Sequence, residues 1–198
     1  MKKKCLYLTL EGINSTVFKS QVYELINSDI SKNFNACIIC FQPINIKWNK
    51  NKLVTLINFL KDKKVKKILI PYIAYKNLLS IYLAIIPFLI VVSIFKIFTS
   101  AILIHCRAQE ACFLGCFASR IFNNLKVYCD IRGVPYEELK DTNIKRADYF
   151  KRIDRYIFNR RFLNDDRIMF NFVSNKLKLY YEEMYSIKIE NNFSIVPC

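Results

Sequence analysis

The sequence predicts an α/β fold, with a mostly parallel sheet covered by helices on both faces. Three observations predict it. Short apolar runs recur along the chain, and most end at a polar, Gly or Pro turn. Between them lie segments whose apolar residues fall at helical spacing. The two kinds of signal alternate instead of segregating, as parallel strands joined by crossover helices require.

The chain has 198 residues, which suits one domain, or one domain with an extension. At 53% hydrophobic residues it can fill a sizeable core, so disorder is not expected away from the ends. Lys and Arg number 31 against 16 Asp and Glu, a formal net charge of +15. An anionic partner fits that sign: nucleic acid, an anionic membrane face or a phosphorylated small molecule. Nucleic acid is disfavoured, because the aromatic residues sit at apolar helix and strand positions instead of interleaving with basic ones.

There are 8 cysteines. Most lie in apolar patterns, where a free thiol acts as a small hydrophobe. Cys37 and Cys40 form a Cys-x-x-Cys inside a strand pattern, so they point to opposite faces and cannot share a metal. Cys112 and Cys116 could share a helix face, but the chain holds 1 His, which argues against zinc. No metal site is expected, and the cysteines read as reduced, in a cytosolic compartment. Lys2 to Lys4 precede an apolar run, but Cys5 to Leu10 is too short for a signal peptide, so secretion is not expected.

In chain order, Cys5 to Leu10 reads as a first buried strand, followed by the turn Glu11-Gly12-Ile13-Asn14-Ser15. Ser15 or Thr16 can cap a helix to about Asn27, with Val17, Val22, Leu25 and Ile26 apolar. A strand, a glycine turn and a helix N-terminus in series could bind an anion, or could be an ordinary connection. Ala36 to Phe41 is a second strand. A helix from Asn51 places Leu53, Leu56, Ile57 and Leu60 on one side, and the basic run Lys61 to Lys67 ends it. Lys67 to Ile70 is a third strand, closed by Pro71.

Leu78 to Phe98 is long enough to span a bilayer. Pro87, Lys96, Ser80, Tyr82 and Ser93 weaken that reading, and a strand follows at once from Ala101 to Cys106. A helix packed on the sheet, with one face available to lipid, is preferred over a transmembrane one. Gln109 to Phe122 is a helix with Ala111, Gly115, Ala118 and Phe122 on one stripe, small enough for close approach to the sheet. Thr142 to Leu163 reads as one long amphipathic helix, with Ile144, Ala147, Phe150, Ile153 and Ile157 inward. Its other face carries Lys145, Arg146, Lys151, Arg152 and Arg155, interleaved with Asp148 and Asp154. Ile168 to Val173 is a strand, Lys176 to Tyr185 a helix, and Phe193 to Val196 the start of a last strand.

The stretch Val127 to Glu138 organises the rest. An apolar run, Val127 to Cys129, breaks into Asp130-Ile131-Arg132-Gly133 and then Pro135. Gly133 is expected to supply backbone geometry that a side chain would forbid, and Pro135 to stop the strand. A charged pair thus falls at the C-terminal end of a buried strand, where open α/β sheets bind ligands. Two readings stand: Asp130 and Arg132 pair to close the loop, or they serve a ligand.

The string His105-x-Arg107, a small-residue helix, then Asp130-Ile131-Arg132-Gly133 with Glu137 and Glu138 resembles a known family. The later Val173-Ser174 before a helix, and Gly12 after the first strand, add to it. Together they resemble the N-terminal half of a family 4 glycosyltransferase, of the branch acting in bacterial surface-polysaccharide assembly. The resemblance covers most of the chain and rests on the order of the motifs. It implies a Rossmann-like domain, half of a GT-B architecture in which a C-terminal domain binds the nucleotide-sugar. Residues 1–198 would be the acceptor-side domain without that C-terminal donor domain. Glu182 and Glu190 match the family's Glu-x₇-Glu spacing, but in the wrong half, so the match reads as chance.

By the same resemblance, Gly12 and Asn14 would let the first turn approach a sugar-diphosphate or acceptor. Arg107 would stand near the reacting sugar as the catalytic candidate, in a position where many relatives carry histidine. His105 and Arg132 would bind substrate, and Glu137 would orient an acceptor hydroxyl. The implied function is sugar transfer from a nucleotide-sugar to a lipid-linked or glycan acceptor, with no further cofactor. The implied location is the inner, anionic face of the cell membrane. The alternative is a non-catalytic membrane-associated binding module.

Overall fold

The structure is a computed structural model that describes residues 3–10, 12–13, 18, 34–44, 50–61, 66–73, 78–97 and 102–196. The elements run β1 (Lys3–Thr9), β2 (Phe34–Pro43), α1 (Lys50–Lys61), β3 (Lys66–Tyr72), α2 (Leu78–Ile97), β4 (Ile102–Arg107) and α3 (Ala108–Ser119). They continue with β5 (Leu125–Ile131), α4 (Pro135–Leu139), α5 (Ile144–Ile157), α6 (Arg160–Leu163), β6 (Ile168–Phe172), α7 (Asn175–Tyr185) and β7 (Phe193–Ile195). The strands form one 7-stranded sheet in the order β3-β2-β1-β4-β5-β6-β7, with parallel pairing throughout. The order reverses between β1 and β4, the place where such sheets open a crevice.

Core residues divide cleanly between the two faces. Leu6, Leu8, Cys37, Ile39, Ile104, Cys106, Val127 and Cys129 face a large core completed by α2, α3, α5 and α7. Tyr7, Ile38 and Cys40 face a smaller one with Phe18 and Phe59. Cys37 and Cys40 therefore do lie on opposite faces. The seven described cysteines are free and buried. Burial pushes the Cys112 thiol up to about 12, so it packs as a small hydrophobe. Among the described residues no cluster could hold a metal ion.

The small-residue stripe of α3 does what its spacing predicts. A Cβ on Gly115 would overlap the Cys106 sulfur and come within 2.9 Å of Val127 Cγ1. Both neighbours belong to central strands and cannot step aside. Gly115→Ala is expected to lower stability by about 1–3 kcal/mol, read from urea denaturation, despite alanine's better helix propensity.

Four local expectations are corrected. First, α1 buries Phe59 and half-buries Leu56, while Leu53, Ile57 and Leu60 stay exposed. Phe59 wins because its ring meets Phe18 at 5.5 Å and takes the Lys67 ammonium at 4.7 Å. Second, β3 runs through Pro71 to Tyr72. It is an edge strand, where a missing N–H is tolerated. Third, the long helix from Thr142 is two helices. Asn143 caps α5, and Asn159 caps α6 by accepting from Phe162 N at 3.2 Å. Between them Phe158 turns into the core, 4.6 Å from the Tyr181 ring. Fourth, Gly133 has no positive φ; among the described glycines only Gly12 does, at 74°.

The segment read as helix from Ser15 to Asn27 lies outside the described residues, apart from the buried Phe18. α2 has 20 residues, and among the described residues no helix is long and apolar enough to cross a membrane. The packing of α2 is that of a helix laid on the sheet. Ile81, Ala84, Ile85, Phe88 and Val92 are buried in the main core, so one full face belongs to the sheet.

Candidate functional site

The parallel register brings the site together. Tyr7, His105 and Tyr128 are cross-strand neighbours on β1, β4 and β5. One residue pair further on, Arg107 aligns with Asp130, Asp130 with Asn171, and Asn171 with Ser194. Alternation along each strand puts all of these on one face, toward the C-terminal edge.

Asp130 is the centre. It is wholly buried and accepts Arg132 Nε at 2.7 Å on Oδ2 and Asn171 Nδ2 at 2.9 Å on Oδ1. His105 Nε2 stands 3.7 Å away and an Arg107 terminal nitrogen 4.0 Å. Ser194 Oγ donates to Asn171 Oδ1 at 2.9 Å and lies 3.3 Å from the Tyr128 hydroxyl. Burial alone would raise the Asp130 carboxyl; the neighbouring His105, the Asn171 donor and the charge of Arg132 outweigh it and hold the carboxyl below its ordinary range. Asp130 is thus a buried carboxylate that ties two arginines to one spot.

The rings of Tyr7 and His105 lie 4.4 Å apart, and Tyr128 meets His105 edge-on at 4.9 Å. Burial pushes the Tyr7 hydroxyl up to about 12, against the pull of Arg107. Tyr7 Oη is buried without a hydrogen-bond partner. Arg107 is itself buried, with 3% of its side chain exposed, whereas Arg132 is a quarter exposed. Of the pair, Arg132 is the one that a ligand can touch.

The turn beyond β5 is clamped from the core side. Gln109 Nε2 donates to the Gly133 carbonyl at 2.8 Å and to the Tyr181 hydroxyl at 2.9 Å. Tyr181 donates to the same carbonyl at 3.0 Å. A Cβ on Gly133 would stand 3.0 Å from Glu138 Oε1, the end of an exposed side chain that can swing away. Backbone strain sits elsewhere, at Ala108, whose φ is 65° just after Arg107. A non-glycine residue there costs about 1–2 kcal/mol. Ala108→Gly is expected to recover up to about 1 kcal/mol, seen as a raised melting temperature.

The other sequence candidates divide. Gly12 stands at the same sheet edge but toward β2: a Cβ would lie 3.2 Å from Pro43 Cδ, and Ile13 N donates to Gln42 Oε1 at 3.0 Å. Its nearest packing partners are therefore this chain's own β2 end. Asn14 lies outside the described residues. Glu137 is on α4, with its oxygens engaged by Tyr180 at 2.6 Å and Lys140 at 2.5 Å. The Asp130 network does not reach it. Glu182 accepts from Ile189 N at 2.6 Å and Lys178 Nζ at 3.0 Å, holding the loop after α7; Glu190 is exposed and pairs with Lys188. Each glutamate thus has its own local partners. Tyr7, Tyr128, Asn171, Ser194, Gln109 and Tyr181 were missed, since only the register assembles them.

A sucrose-phosphate synthase from Thermosynechococcus elongatus matches this fold with a TM-score of 0.66 and 9% identity, covering 100% of this chain and 48% of that chain. The likeness is one of fold. It meets the expectation of a Rossmann-like α/β domain with a parallel sheet. The chain spans about half the length of that structure. No family model matches the sequence, and no curated protein is significantly similar to it.

Proposed function

We propose that this chain is the acceptor-side domain of a glycosyltransferase of the family 4 type. It moves a sugar from a nucleotide-sugar to a lipid-linked or glycan acceptor in polysaccharide assembly, at the inner face of the cell membrane. The observation that carries this reading is the Asp130 cluster: two arginines and a histidine held by one buried carboxylate at the C-terminal edge of β4 and β5. That is where a parallel sheet presents ligand-binding groups. Arginine's planar fork suits diphosphate and vicinal hydroxyls.

In this reading a donor-binding domain faces that edge across a cleft. Arg132 and His105 meet the ligand, and Arg107 acts from behind by fixing Asp130 and adding positive potential. During transfer the bond from the anomeric carbon to the diphosphate breaks and a bond to the acceptor oxygen forms. The acceptor's proton leaves with the diphosphate, whose charge the arginines stabilise.

The test is transfer from common nucleotide-sugars to a membrane extract, with the downstream reading frame expressed together with this chain. Incorporation of labelled sugar into lipid-linked or polymeric product supports the reading. A folded protein that incorporates none from any of those donors overturns it.

A further inference from the structure

The helical layer over the main core has an outer surface that the Asp130 site does not use. On α2, Leu79, Leu83, Ile86, Ile90, Ile94 and Ile97 are all exposed, Ile86 by 64% and Ile97 by 78%. Their spacings of three and four residues place them on one ridge, opposite the buried face. The ridge runs the length of the helix, about 27 Å at 1.5 Å per residue. Exposed apolar stripes of this extent mark interaction surfaces.

Cations lie on the same helical layer, across α3 from the ridge. The rings of Tyr82, Phe113 and Tyr156 pack in series at 6.1 Å and 4.6 Å, so α3 lies between α2 and α5. On α5 the stripe Lys145, Tyr149, Arg152, Tyr156 has spacings of four, three and four residues. Tyr149 donates to Glu110 of α3 at 2.7 Å, and Tyr156 packs on Phe113. Lys145 and Arg152, on the same stripe, are exposed beside them. Arg120 is exposed at the end of α3, and the Lys96 ammonium lies 5.2 Å over the Phe122 ring.

We propose that this face docks on an anionic lipid bilayer, with the α2 ridge at the headgroup–acyl boundary and Lys145, Arg152 and Arg120 on the headgroups. An apolar ridge with cations on the same helical layer is the complement of such a surface. A second copy of the chain is a poorer occupant. Pairing ridge to ridge would bring the cations of two copies together, in a chain of formal net charge +15. The geometry also serves access. α2 leads from the end of β3 back to the start of β4, so it runs antiparallel to the strands. A helix lying in the membrane plane lays the strands along the surface and turns the Asp130 edge sideways at headgroup level. The inference deepens the proposed function, on whose membrane location it rests, by naming the face that docks.

The test is co-sedimentation of the full chain with vesicles of phosphatidylcholine, alone or with about 30% phosphatidylglycerol. Binding is expected on the anionic vesicles, about tenfold stronger than on neutral ones, and weakened in high salt. Leu83→Ser with Ile90→Ser, and separately Lys145→Glu with Arg152→Glu, should each lower binding about tenfold or more. Both changes are at exposed positions, so the circular dichroism melt should be unchanged. Absence of vesicle binding by the unaltered chain overturns the proposal. So does a ridge variant that binds as well as the parent, or a dimer that dissolves on ridge substitution while vesicles are ignored. Sugar transfer is assayed separately with detergent-solubilised acceptor, so loss of docking and loss of transfer are told apart.

Discussion

Replacing Asp130 with alanine is expected to cost about 3–5 kcal/mol of folding stability, because it breaks a buried ionic cluster from its centre. The Arg107 side chain is 3% exposed and would be left beside no carboxylate from Asp130, and the Asn171 amide would lose its acceptor. Asp130→Asn keeps one acceptor oxygen and should cost less, about 2–3 kcal/mol. The pH dependence has a definite sign. Asp130 is held below its ordinary range in the folded state, so the folded protein binds fewer protons there than the unfolded chain. Its stabilisation is fully present above the unfolded carboxyl range and is lost as pH falls through the folded value. Urea denaturation of the parent should therefore lose stability steeply in acid, and the alanine variant should lose that part of the slope. A variant with unchanged stability at neutral pH would show that the cluster holds nothing together.

Asp154→Asn is expected to do the opposite and stabilise the protein above neutral pH. Asp154 is fully buried on α5, and neither carboxyl oxygen has a hydrogen-bond partner. Burial pushes its carboxyl up to about 8, and the nearby Tyr185 and Tyr181 hydroxyls offset this only in part. Between the ordinary carboxyl range and pH 8 the unfolded chain ionises Asp154 while the folded one keeps the proton. Stability therefore falls as pH rises through that window. Asparagine has nearly the shape of the protonated acid and no proton to lose. The variant should match the parent near pH 4 and exceed it by about 2–5 kcal/mol near pH 8. Equal stability at both ends of the window would mean that Asp154 ionises freely in the folded protein.

The two aspartates show how far a sequence can be read. Asp130 follows an apolar run and precedes Arg132 and Gly133, so its place at a strand end was legible, as was its pairing with Arg132. Its bond to Asn171, and through it to Ser194, was not legible. Those partners stand 41 and 64 positions away in the sequence, and only the parallel register of β5, β6 and β7 aligns them. Asp154 sits among five basic residues of α5 and reads as one more surface charge. It is buried because the stripe containing Ala147, Phe150 and Ile157 faces the core, and Asp154 falls on that stripe. That α2 would keep one face free was legible, but which residues form that face was not, since apolar residues surround the helix and its sequence carries no stripe.

What the sequence determined by itself was the alternation of strands and helices, and with it a parallel sheet covered on both faces. It also determined the close approach of α3 at Gly115 and the charged turn after β5. These follow from local rules: periodicity and the missing side chain of glycine. Pro135 opens α4 and does not end β5, which stops at Ile131. Tertiary structure alone decided which apolar face of α1 and α2 is buried, where the helix from Thr142 breaks, and which side chains meet around Asp130. Those outcomes depend on competition between distant groups for one core and one edge, and no local pattern encodes who wins.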